Sequence, residues 1–101
     1  MGHSITDISP LATIASLRWV TLQWGLLHDI SPLASLTNMT YLNLYANQIT
    51  DMSPLLGAFP DNGIPGRVVQ IQRNPATTPS PDPAAQAVID ELIARGVTVH
   101  Y

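Results

Sequence analysis

Apolar residues return along this chain on a fixed beat. Ile5, Ile8 and Leu11 are followed 22 residues later by Leu27, Ile30 and Leu33, and 22 residues later again by Ile49, Met52 and Leu55. The polar positions keep the same phase. Ile5-Thr-Asp-Ile-Ser-Pro-Leu11 returns as Leu27-His-Asp-Ile-Ser-Pro-Leu33 and as Ile49-Thr-Asp-Met-Ser-Pro-Leu55. A constant period in this range marks a solenoid, in which each repeat is one coil that buries its apolar face only by stacking on its neighbours.

Each coil carries two kinds of local pattern. Val20-Thr-Leu22 and Leu42-Asn-Leu44 alternate apolar and polar residues, so they predict short strands with the apolar side chains inward and Thr21 and Asn43 outward. Leu17 matches Met39, and Ile14 matches Leu36, at the same interval. Ser9, Ser31 and Ser53 each precede Pro-Leu, the pattern of a helix N-cap followed by proline in the first helical position. A short 3-10 turn is therefore expected on the outer side of each coil.

The third coil is longer. Val69-x-Ile71-x-x-Asn74 follows Leu42-x-Leu44-x-x-Asn47 by 27 residues, so five residues have been added, placed by their prolines and glycines between Phe59 and Gly66. This segment is expected to bulge as a loop of variable length. Beyond Asn74-Pro75 a proline-rich connector leads to Asp82-Pro83, an N-cap with a first-turn proline. Ala84, Ala87, Val88, Leu92 and Ala94, with Ile89 and Ile93 beside them, predict a helix that stops at Arg95-Gly96. Val97-Thr-Val-His-Tyr101 predicts a last strand with Val97 and Val99 inward.

Aligned, Leu17-x-x-Val20-x-Leu22-x-x-Gly25-x-Leu27 and Met39-x-x-Leu42-x-Leu44-x-x-Asn47-x-Ile49 share one template, with asparagine at the bend after the strand. That template resembles the leucine-rich repeat. The 22-residue period with Ile-Thr-Asp-Ile-Ser-Pro-Leu resembles the internalin type of bacterial repeat. The Asn-Pro, helix, Gly-Val-Thr-Val ending resembles the last coil of bacterial leucine-rich repeat domains. The resemblance implies an α/β right-handed solenoid: a parallel sheet of about four strands on the concave side, 3-10 turns on the convex side and one C-terminal α-helix. It divides a single domain, 1–101, into repeats at about 5–26, 27–48 and 49–75 and a cap at 76–101. It also implies a secreted or cell-surface bacterial parent protein, of which this chain is expected to be a fragment.

Two departures carry an energetic expectation. Gly25 stands in the asparagine column, and a backbone group left unpaired there would cost about 1–3 kcal/mol. Ile5, Ile8, Leu11 and Ile14 have no preceding coil to pack on, and exposure forfeits roughly 1.5–3 kcal/mol per side chain. Self-association through this first coil is one expected consequence.

Composition narrows the chemistry. Hydrophobic residues make up 46% of the chain, enough for a core. Charged residues are 11%, the net charge is −3 and the four arginines form no basic stripe, which argues against nucleic acid as a partner. No apolar run reaches the length of a membrane span, so no membrane insertion is expected. With no cysteine, disulfides and thiolate metal sites are excluded. His3, His28 and His100 lack metal-ligand spacing. Asp7, Asp29 and Asp51 stack in one column, too few oxygens for a hard cation, and suit the start of the helical turns. Asn38-Met39-Thr40 matches a glycosylation sequon that the repeat template already explains. No cofactor motif and no catalytic constellation is present, and no enzyme activity is expected.

The outward strand positions remain. Trp19, Tyr41 and Val68 form one column, Thr21, Asn43 and Gln70 a second, and Gln23, Tyr45 and Gln72 a third, with Thr98 and His100 extending the latter two. Trp24 and Arg73 flank them. Tryptophan and tyrosine among uncharged amides make a recognition patch, so Trp19, Thr21, Gln23, Trp24, Tyr41, Asn43, Tyr45, Gln70 and Gln72 are the candidate partner-binding residues. The expected function is a module that binds a protein or peptide on its concave face. The alternative is a structural spacer, cap or self-associating segment of a longer array.

Overall fold

The computed structural model describes residues 6–101, so the expectations placed on His3 and Ile5 lie outside the described residues. Four three-residue strands form one parallel sheet in chain order: β1 (Trp19–Thr21), β2 (Tyr41–Asn43), β3 (Val68–Gln70) and β4 (Thr98–His100). The 22-residue period appears directly as register, with Trp19 beside Tyr41, Val20 beside Leu42 and Thr21 beside Asn43. Rungs continue past the strands, through Leu22 N to Asn43 O, Trp24 N to Tyr45 O and Ala46 N to Gln72 O. The sheet is therefore wider than its regular strands.

Val20, Leu42 and Val69 point from the strands into a single core that also holds Leu27, Ile49 and Ile71. Val97 is buried and Val99 half-buried. The last strand is offset from expectation, however. Thr98 pairs with Val68 and His100 with Gln70, so they extend the first two outward columns and not the second and third. The helix before β4 fixes this offset: its terminal hydrogen bond from Val97 N to Leu92 O sets where the strand begins.

The convex side carries η1 (Ser9–Thr13), η2 (Ser31–Ser35) and α1 (Leu55–Ala58). The first two are the expected 3-10 turns; the third is a short α-helix, with Phe59 N bonded to Leu55 O. Nor do the serines cap these turns, because each N-cap is Ile8 or Ile30 in the 3-10 turns and Pro54 in α1. The aspartate does the work instead. Asp7, Asp29 and Asp51 each accept the backbone N–H of the serine two residues on, at 2.9 Å. Gly57 allows α1 to sit against η2: a Cβ there would lie 2.5 Å from Ala34 O.

α2 (Pro83–Ala94) begins as expected, with the Asp82 side chain accepting Ala85 N–H at 2.8 Å and proline in the first turn. It ends with Gly96 at φ 83°, the left-handed residue of a Schellman stop whose two bonds run from Gly96 N to Ile93 O and Val97 N to Leu92 O. Its buried stripe is Ala85, Val88, Ile89 and Leu92. Ala84, Ala87 and Ala94 are exposed, and Ile93 lies 52% exposed, so the packed face is rotated from the one the alanines suggested. Burying Ile89 with Val88 removes more apolar area than burying the alanines.

Two expected deficits are smaller than foreseen. Ile8 is buried and Leu11 half-buried, leaving Ile14 as the exposed residue of that set among the described residues. At Gly25, the Leu22 carbonyl that a local asparagine would serve accepts from Asn47 Nδ2 of the next coil. Each asparagine bonds the coil before its own, so one missing amide leaves that carbonyl satisfied.

The lengthened third coil is anchored, not merely bulged. Arg67, just before β3, is 1% exposed and donates to Pro60 O, Asn62 Oδ1 and Arg95 O. Arg95 in turn donates to Leu56 O and Phe59 O and pairs with Glu91 at 2.7 Å. Two arginines thus stitch the added loop to the C-terminal end of α2, where carbonyls and the helix dipole favour cations.

Candidate binding surface

The outward strand positions are placed on one face by the parity of short strands: a residue beside an inward valine or leucine must point the other way. Register then stacks them into columns. Trp19 and Tyr41 lie ring on ring, centroids 4.2 Å apart and planes 28° apart. Gln70 Nε2 donates to the Tyr41 hydroxyl at 2.9 Å, extending this group to the third strand. Such ring pairs contribute about 0.5–1.5 kcal/mol beyond area burial. The pair covers much of Tyr41, yet Trp19 stays 67% exposed. Mutual covering accounts for the tyrosine and not for the tryptophan.

A second aromatic group sits where the chain leaves the sheet. Trp24 meets Tyr45 edge to face, with centroids 5.1 Å apart. The Arg73 guanidinium lies over both rings, 5.9 Å from Trp24 and 6.0 Å from Tyr45. Trp24, Ala46 and Arg73 occupy the same position of successive coils, and all three have left-handed backbone, with φ of 61°, 60° and 59°. That conformation turns each coil off the sheet and costs non-glycine residues roughly 1–3 kcal/mol apiece. The asparagine that follows holds the bend. Asn47 donates to Leu44 O and accepts Leu27 N–H, while Asn74 donates to Leu44 O and Ile71 O and accepts Ile49 N–H.

Between the two aromatic groups lie amides. Asn43 donates to Gln23 Oε1 at 3.1 Å and accepts Tyr45 N–H at 3.0 Å. Thr21 is exposed beside them. Gln72 Oε1 is shielded from solvent and has no hydrogen-bond partner among the described residues. The nine candidate residues are thus brought together on one sheet face and its edge. Three further members belong with them. Arg73 is fixed by the ring contacts, while Thr98 and His100 lie in the columns that β4 extends. The sequence signal for Arg73 was its place in the Trp24 column; nothing in the sequence announced that it would cross to Tyr45.

Other chemistry is sparse. The column of aspartates has its Oδ1 atoms engaged by serine N–H groups, and those bonds, with the serine side chains next, hold all three carboxyls below the ordinary aspartate range. Among the described residues no group of three or more histidine, cysteine or acidic side chains is placed to hold a metal ion. No helix among them is long and apolar enough to cross a membrane. A shallow recess of about 500 Å³ adjoins the second aromatic group, lined by Asn47, Arg73, Asn74, Pro75 and Thr78.

No protein-family model and no curated protein matches the sequence. Among solved structures, internalin C2 from Listeria monocytogenes is similar: it shares 28% identity and superposes with a TM-score of 0.63 over 95% of this chain. The fold is an internalin-like leucine-rich repeat. The chain spans 38% of the length of that internalin. A leucine-rich repeat stacks its coils into a curved solenoid whose concave sheet is a surface for protein interaction. The Asp-x-Ser-Pro motifs lie on its convex turns.

Proposed function

We propose that this leucine-rich repeat binds a protein or peptide through its concave face, with Trp19, Tyr41, Trp24 and Tyr45 as the principal contacts. The observation that carries the reading is the exposure of Trp19, 67% open to solvent although stacked on Tyr41. Burying an indole of that size against a partner is a large gain, and aromatic anchors surrounded by amides are where binding energy concentrates. Thr21, Gln23, Asn43, Gln70 and Gln72 supply the polar groups around the anchors. The likeness to an internalin supports the reading at the level of the scaffold. By the same likeness, the parent protein is proposed to act at a bacterial surface or outside the cell.

The test is a double variant, Trp19→Ala with Tyr41→Ala, compared with the wild-type domain for binding to peptides selected from a randomised dodecapeptide display library. Loss of two anchors of this kind is expected to weaken binding by at least about 30-fold, since even one such residue contributes about 2 kcal/mol or more. A folded double variant with undiminished affinity would remove the concave face from consideration.

A further inference from the structure

We infer that the partner of the concave face is an acidic peptide segment, its carboxylate held by Arg73 and an apolar or aromatic side chain resting on Trp19. This deepens the proposed function and rests on it. The inference comes from charge. The chain has seven carboxylates and four arginines, yet the acids avoid this face. Asp7, Asp29 and Asp51 bond serine N–H groups on the convex turns, Asp61 is in the added loop, and Asp82, Asp90 and Glu91 belong to α2 or its cap. Of the arginines, Arg67 is buried among carbonyls and Arg95 is paired with Glu91, while Arg18 precedes β1. Arg73 is the arginine held against aromatic rings of the binding face, in a protein whose net charge is −3.

Its setting suits a carboxylate. The Trp24 and Tyr45 rings bias the guanidinium toward this position, which lowers the ordering a ligand must impose. Those contacts use none of its N–H donors, and Arg73 forms no ion pair or side-chain hydrogen bond among the described residues. A guanidinium presents its donors as a planar fork that matches two carboxylate oxygens. The adjoining recess of about 500 Å³ leaves room for the acidic side chain or a chain terminus. A single cation fixes one carboxylate and cannot follow a row of phosphates, which sets the peptide apart from nucleic acid. Arg73 lies over the Trp24 ring beyond the end of the strand that carries Trp19, so an extended peptide that reaches both places its acid several residues from its apolar anchor.

The experiment selects peptides from the randomised dodecapeptide library on the wild-type domain. Synthetic versions of the recovered peptides are then titrated against wild type, Arg73→Gln and the Trp19→Ala/Tyr41→Ala variant. Arg73 lies on the surface edge, and circular dichroism checks that each variant keeps its fold. Recovered peptides are expected to share an aspartate, glutamate or free C-terminal carboxylate at a fixed distance from an apolar residue. Arg73→Gln, or replacement of the peptide's acid by its amide, is expected to weaken binding about 10- to 100-fold and to flatten its salt dependence. Binders without acid enrichment that lose affinity in the Trp19→Ala/Tyr41→Ala variant but not in Arg73→Gln overturn this inference and leave the concave-face reading standing. Binders indifferent to all the substitutions, or recovery of none, overturn both.

Discussion

Asn47 and Asn74 show how much a single repeated residue can organise. Each amide spends its donor on carbonyls of two coils and its acceptor on the N–H of the first residue of its own repeat, Leu27 or Ile49. The sequence made this role legible, because an asparagine after a strand at constant phase has backbone groups to satisfy at the bend. What it could not disclose is the left-handed backbone one residue earlier, since Trp24, Ala46 and Arg73 share no chemistry that favours that conformation. It is imposed by the coil geometry around them. Asn74→Ala should therefore destabilise well beyond an ordinary surface change. Ile49 N–H loses its partner in the interior, and Leu44 O and Ile71 O each lose one of theirs. A loss of about 2–3 kcal/mol in urea unfolding is expected, with each unsatisfied buried group costing about 1–3 kcal/mol. A change below about 0.5 kcal/mol would mean the amide is not what holds the bend.

At the scale of elements, the convex turns were legible in kind and misread in detail. Ser-Pro-Leu does start a helical turn, but the serine is not its cap; the aspartate two residues before accepts the serine N–H ahead of the turn. A serine placed before proline can serve as cap or as first helical residue, and only the backbone decides which. The arrangement has a consequence in acid. The backbone N–H of Ser9, Ser31 or Ser53, followed by that serine's side chain, lowers the pKa of its aspartate. A folded value below the unfolded one gives stability that is present above the ordinary aspartate range and lost as pH falls through the folded value. The triple variant Asp7→Asn/Asp29→Asn/Asp51→Asn keeps an acceptor oxygen and removes the titration. It should fold at pH 7 and lose stability less steeply than wild type below about pH 4. Carboxyl titrations followed by NMR that place these three at or above ordinary aspartate values would refute the assignment. The α2 stripe and the Arg67 anchor were hidden for a different reason. Which face of a helix is buried, and what a lone arginine donates to, depend on partners far away in the chain.

Over the whole molecule, one period sorted the residues into convex turns and an outward sheet face. Register through β1, β2 and β3 followed from the spacing alone, because coils of equal length stack in phase and a known insertion shifts the phase by a known amount. β4 escaped by two residues because the helical cap obeys no such period. The columns of the candidate surface were legible for the same reason as the strands. The contacts across them were not: Trp19 on Tyr41, and Arg73 over Trp24 and Tyr45, are products of side-chain packing. The division of labour between the two sides is the central claim. It is tested most directly by mapping amide chemical-shift changes on the domain as a library-selected peptide is titrated in. Binding on the concave face predicts that the changes gather at residues 19–24, 41–45 and 68–73, with the convex turns at 31–35 and 55–58 still. Changes concentrated on those convex turns, with the Trp19 and Tyr41 amides unmoved, would contradict it.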